Sequence, residues 1–220
     1  MLANILKIKN DILTSLEETF YMVAVSVVIG IVVGTVIGLI LYTTRNPLFI
    51  RNKIVNRFVS VIINIIQSVP FLILMVLLLP LSKIIVGTKI GSDAVLVPLS
   101  LAAICFFARL SEASFSDVPK GVIEAFISTG ASKIKVIFKI LIPEALPSIV
   151  RNITVTTVTI LGFSAMAGIV GGGGLGDLAY RYGYQRYQSE IMIVCVLILI
   201  VLVQVIQLLG EWGVKKVTKK

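Results

Sequence analysis

TFYMVAVSVVIGIVVGTVIGLILYTT, residues 19 to 44, runs for 26 residues without a charge. A helix rises about 1.5 Å per residue and a bilayer core is about 30 Å thick, so this stretch reads as a membrane-spanning helix. Four further uncharged stretches follow: Phe58 to Ser82, Ala94 to Ala108, Asn152 to Gly176 and Ile191 to Gly210. Ala94 to Ala108 is short, but Ile90 to Ser92 and a snorkelling Arg109 extend it at the two ends. The 220 residues are 57% hydrophobic and 14% charged, with a mean hydropathy of +1.04, which excludes a soluble domain of this size. The expected fold is an all-α, polytopic membrane helix bundle with spans near 19–44, 58–82, 90–109, 152–172 and 191–210. Residues 1–18 mix apolar and charged side chains and read as an interfacial segment leading into the first span. That span is too long for the apolar core of a signal peptide and no cleavage pattern follows it, so it reads as retained.

The net charge of +9 does not point to nucleic acid, because the basic residues sit in the joints between spans. Placing the joints around Arg45 to Arg57 and Arg109 to Arg151 on the cytoplasmic side, together with a basic tail over 213–220, puts fourteen Lys and Arg inside and six outside. The N-terminus is then expected outside and the C-terminus inside. Cys105 and Cys195 fall within spans and read as small apolar packing residues. With no histidine in the chain, imidazole metal ligation and His-based catalysis are excluded. No metal site and no catalytic constellation is expected; Glu112, Asp117 and Glu144 read as helix-end or solvated loop charges.

Within the first span Gly30, Gly34 and Gly38 recur every four residues and leave one helix face bare for another backbone, either in static packing or in a contact that slides. In the second, Gln67-Ser68-Val69-Pro70 predicts a kink, since proline frees a carbonyl that Gln67 and Ser68 are placed to satisfy. The kinked helix either lines a pathway or serves packing alone; Ser68 and Pro70 are its candidate pathway residues. Met166, among Ser164, Ala165, Ala167 and Gly168, either fills a gap in the bundle or occludes a narrow path.

The polar segment 110–150 interrupts this apolar pattern. Asp117 and Pro119 mark a helix start, Gly130 breaks it, and a second helical piece carries Ile134, Ile137, Ile140 and Leu141 near one face with Lys133, Lys135 and Lys139 away from it. Pro143 and Pro147 return the chain to the bilayer. Such a piece either rests on lipid headgroups or fills a groove on another protein. After the fourth span, Gly171 to Gly176 formally contains G-x-G-x-x-G, but no strand precedes it, so nucleotide binding is rejected. Its glycines suit a mobile or tight external turn, and Tyr180 to Tyr187 suit the membrane interface or an external partner. The chain has no phosphate-cradling Gly-x-x-x-x-Gly-Lys-Ser/Thr loop, and the span interiors hold no acidic residue of the kind that ion-coupled transporters use.

Residues 124–143 place Glu124, Ala125, Gly130, Ile140 and Pro143 on the spacing of the EAA loop of ABC importer permeases, with Phe126 and Ile142 as apolar departures. Ser68-Val-Pro-Phe71, Val86-Gly-Thr-Lys-Ile-Gly91, Phe107-Ala-Arg109, Leu141-Ile-Pro-Glu-Ala-Leu-Pro147, Ser164-Ala-Met166 and Gly173-Gly-Leu-Gly176 extend the resemblance over nearly the whole chain. The chain resembles type I, binding-protein-dependent permeases, and among them those of bacterial methionine importers. The resemblance implies a permease domain over 15–212 with a cytoplasmic coupling loop at 110–150. It also implies a multi-pass location in the bacterial cytoplasmic membrane, a second copy of the chain, two cytoplasmic ATPase subunits and an external substrate-binding lipoprotein. ATP and Mg would be bound by the ATPase, leaving this chain without a cofactor and without enzymatic activity. Glu124, Ala125, Gly130, Ile140 and Pro143 become the ATPase-coupling residues. A permease for another amino acid or small polar solute remains an alternative, as does a transporter acting alone.

Overall fold

The computed structural model describes residues 8–218, and every regular element among them is helical. Helix α1, Lys9–Arg45, is continuous through the stretch expected to be interfacial; residues 1–7 of that segment lie outside the described residues. At 37 residues it is about 55 Å long and overreaches the hydrocarbon core.

The second span is broken rather than kinked. Helix α2, Lys53–Ser68, and helix α3, Phe71–Val86, meet at 108°. Val69 is extended at φ −85°, ψ 127°, the conformation that steric conflict with a following proline favours. Pro70 then starts α3, its carbonyl accepting from the amides of Ile73 and Leu74. The restoring bonds expected of Ser68 do not form across the break: its hydroxyl donates to Asn64 O, 2.7 Å away in its own helix.

Helix α4, Ser92–Ser116, is the most buried span and lies along α1. A Cβ added at Gly30 would meet the Ala103 Cβ at 2.6 Å, and one at Gly38 the Ser111 Cβ at 2.6 Å. Gly34 faces the Phe107 Cβ at 3.0 Å, so the bare face of α1 is occupied by α4 of the same chain.

Helices α5, Lys120–Ser128, and α6, Lys133–Val136, form the elbow. Beyond α6 the chain does not exit at Pro143 as expected. A π-helical turn over Ile137–Leu141 leads directly into α7, Ile142–Ala167, and the helix passes through Pro143 and Pro147. The wide turn is marked by the Ile142 amide bonding Ile137 O, five residues back; it absorbs a proline that has no N–H to give. A short 3₁₀ turn, Gly168–Val170, helix α8, Gly174–Leu178, and a second π-helical stretch, Ala179–Gln185, precede α9, Ser189–Thr218.

Among the described residues four helical segments are long and apolar enough to span a membrane, and the bent α2–α3 pair brings the number to five if it is counted as one span. Two large apolar clusters stack along the bundle. One joins Met22, Met75, Leu99 and Ile160; the other joins Tyr42, Phe49, Phe107 and Phe115 to the buried side of the elbow.

Candidate functional site

The elbow has two unlike faces. Ile123 is 0% exposed, and Val136 and Leu141 are equally enclosed in the cluster with Tyr42, Phe49 and Phe115. The Tyr42 ring lies 5.8 Å from Phe49 and 6.1 Å from Phe115, centroid to centroid. Lys133 Nζ donates to Phe49 O at 2.7 Å, tying α6 to the α1–α2 joint. On the other face Glu124, Ala125 and Pro143 are exposed, and Ile134 and Phe138 are 69% and 63% exposed. Ile140 is half-buried against the aromatic cluster. Glu124 borders a hollow of about 330 Å³ shared with Tyr42, Arg45 and Lys120, and forms no ion pair among the described residues.

Gly130 makes the elbow turn. Its φ of +82° is costly for any residue with a Cβ, and its amide closes α5 on Ile127 O. Ser132 then caps α6 by accepting from the Lys135 amide.

A second feature lies at the broken span. An apolar cavity of about 790 Å³ is bordered by Gln67, Pro70 and Phe71, by Cys105 of α4, and by Phe163 and Met166 of α7. Phe71 and Phe163 stack at 4.1 Å with planes 6° apart. The structure thus brings Pro70 and Met166 to one cavity, while Ser68 is not part of its wall. Sequence reasoning missed Phe163; its place three residues before Met166, about one helical turn, puts it on the same face.

Between these features sits a polar network that corrects the reading of Glu112 as a solvated charge. Glu112 is 8% exposed and receives Arg109 at 2.8 Å and Arg45 at 3.7 Å. Arg109 does not simply snorkel: it also donates to Asn64 Oδ1 at 2.7 Å and Ser60 O at 3.2 Å, holding α2 to α4. The i,i+3 spacing of Arg109 and Glu112 was the available clue.

At the opposite end the glycine turn is docked. Glu18 accepts from the Gly174 amide at 2.6 Å and Thr19 from the Leu175 amide at 2.8 Å, so α1 caps α8 from a distance. Gly171, Gly173 and Gly174 all take positive φ. Asp177 accepts from Arg181 nearby, and that hydrogen bond raises the guanidinium pKa further above its usual value. No group of His, Cys, Asp and Glu able to hold a metal occurs among the described residues.

A bundle of long apolar helices with a sharply bent span and an uncovered elbow at one end has the architecture of a multi-span membrane component. The chain belongs to the family of binding-protein-dependent transport system inner membrane components, whose model matches residues 26–219. Among its relatives, a probable D-methionine transport system permease protein of Vibrio cholerae is 49% identical, covering 94% of this chain and 92% of that protein. A methionine import system permease protein of Bacillus subtilis is 42% identical, covering 79% of this chain and 78% of its own length. A solved inward-facing structure of a methionine ABC transporter superposes with a TM-score of 0.91 at 42% identity, over 94% of this chain and 95% of that one. An amino acid ABC transporter superposes at 0.82 with 20% identity, over 98% of each chain, a likeness of fold alone.

Proposed function

We propose that this chain is the membrane permease of an ATP-driven importer that carries methionine inward, acting as two copies with two ATPase subunits and an external binding lipoprotein. The observation that carries the reading is the elbow: its inner face is welded into the bundle, while its outer face leaves Glu124, Ile134 and Phe138 without a partner among the described residues. An uncovered apolar side rimmed by charge suits a cleft on another protein. The likeness to methionine permeases and to an inward-facing methionine transporter supports the substrate and the conformation. The distribution of Lys and Arg supports a cytoplasmic elbow, an external N-terminus and a cytoplasmic C-terminus.

In this mechanism ATP closes the partner subunits and carries the elbow with them. The Lys133–Phe49 tie and the Tyr42 cluster pass that displacement to α1 and α4. The break at Val69-Pro70 lets α2 move without α3, and Met166 with the Phe71–Phe163 stack closes or opens the cavity. ATP and Mg stay on the partner, whose differential affinity for the two arrangements drives the change.

The test is reconstitution of the permease, its ATPase and its binding protein in vesicles. ATP-dependent accumulation of labelled methionine is expected. Uptake by the permease alone, or none in the complete assembly, overturns the reading.

A further inference from the structure

A second cavity, of about 650 Å³, opens between α7 and α9 near the elbow end. Its wall on α7 includes Arg151, Thr154 and Thr159, and on α9 Gln207, Glu211 and Lys215. Its floor is tight: a Cβ at Gly210 would meet the Thr154 Cγ2 at 2.6 Å and one at Gly213 the Val150 Cγ1 at 3.3 Å, so the two helices touch over that turn. Arg151, Glu211 and Lys215 make no ion pair or hydrogen bond with any described residue, so three charges face the groove uncommitted.

The position of this groove is informative. Arg151, Val155, Thr159, Gly162 and Met166 follow one another at four- and three-residue steps, a single face of α7. The apolar cavity holds the Met166 end of that face and the polar groove the Arg151 end. Gly162, between them, has nothing within 4 Å of where its Cβ would be, so the face is open at that position. Ionisable side chains within membrane spans face a bundle interior or a water-filled cavity as a rule, and Glu211 with Gln207 one turn away fits such a surface.

We infer that the groove is the inner half of the solute path and a binding station for a zwitterionic amino acid, with Arg151 and Lys215 receiving the carboxylate and Glu211 the ammonium. The inference rests on the importer reading above and adds to it the site at which the backbone charges of the solute are met. A neutral side chain can lie against Val155 and Val158 of α7, while the carboxylate meets Arg151 and Lys215 and the ammonium meets Glu211. Weak, paired contacts suit a station that must release as readily as it binds.

The experiment uses the complete transporter in vesicles. Uptake per ATP hydrolysed is measured for methionine and for N-acetylmethionine, which keeps the carboxylate and lacks the ammonium. Glu211→Gln is expected to lower methionine uptake per ATP about tenfold, and to narrow the ratio of methionine to N-acetylmethionine by a similar factor. An equal fall for both solutes, or an unchanged ratio, overturns the station. In a background carrying Cys105→Ala and Cys195→Ala, Thr159→Cys is expected to react with a charged, membrane-impermeant thiol reagent applied from the inner side, and to be shielded by methionine. Reaction with lipid-soluble reagents alone makes the groove a lipid face and overturns the inference. Failure of the unmodified transporter to move methionine at all is a different result, and it sinks the importer reading instead.

Discussion

Along α1, three glycines let α4 approach until an added methyl at Gly30, Gly34 or Gly38 would sit 2.6 to 3.0 Å from Ala103, Phe107 or Ser111. Along the elbow, Ile134 and Phe138 stand 69% and 63% exposed, and Gly130 has nothing within 4 Å of where its Cβ would be. Both regions are marked by glycine, but the residue does opposite things. In α1 it permits contact between backbones inside the bundle, where van der Waals packing of small residues holds membrane helices together. In the elbow it permits a left-handed turn in open space. One region is packed within the chain; the other presents an uncovered face.

The comparison breaks most visibly at Gly38. Gly38→Leu forces a side chain into Ser111 and the Ala108 carbonyl, and the folded permease is expected not to accumulate in membranes. Gly38→Ala costs about 1–3 kcal/mol, read as a lower midpoint of thermal unfolding in detergent. Wild-type stability in either variant separates the glycine face from α4.

Glu124→Lys acts on the other side of the comparison. It leaves thermal unfolding unchanged and lowers ATP-driven uptake at least about tenfold, as expected when one member of an intersubunit charge contact is reversed. A loss of stability instead would mean that the exposed face is structural.

Arg109→Ala lies between the two regions. It removes the 2.8 Å partner of Glu112 and the donor to Asn64, costing about 2–3 kcal/mol for a partly buried charge left with Arg45 alone at 3.7 Å. Arg109→Lys recovers only part of this, because an ammonium cannot reach Glu112, Asn64 and Ser60 together. The smallest effect belongs to Gly130→Ala, about 1–2 kcal/mol from the positive φ, seen as a modest fall in uptake with little change in global unfolding.

How much of this was legible in the sequence depended on the range of the interaction. The four-residue glycine period and the Gly130 break are local patterns, and both lie on elements that the structure contains. The broken span was half legible: Val69-Pro70 disfavours helix, but whether a proline bends a helix or ends it depends on what supports the freed carbonyl. Here Ser68 turns back to Asn64, and the freed Ile66 carbonyl is met only by the Val69 amide at 3.4 Å, a bond that closes α2 instead of continuing it. Pro143 misled in the opposite direction. A proline reads as a helix boundary, yet the π-helical turn before it lets the helix continue. The burial of Glu112 was not legible, because Arg45 reaches it, and Asn64 reaches its partner Arg109, only through the packing of α1, α2 and α4. Nor was the docking of the glycine turn, whose partners Glu18 and Gly174 are 156 residues apart.

The most direct test of the lever is a photo-reactive amino acid at Ile134 in the assembled transporter, illuminated with and without ATP. The account predicts a covalent adduct between the permease and its ATPase, with a yield that changes when nucleotide binds. An adduct formed only with lipid, in a transporter that still drives methionine uptake, would contradict it.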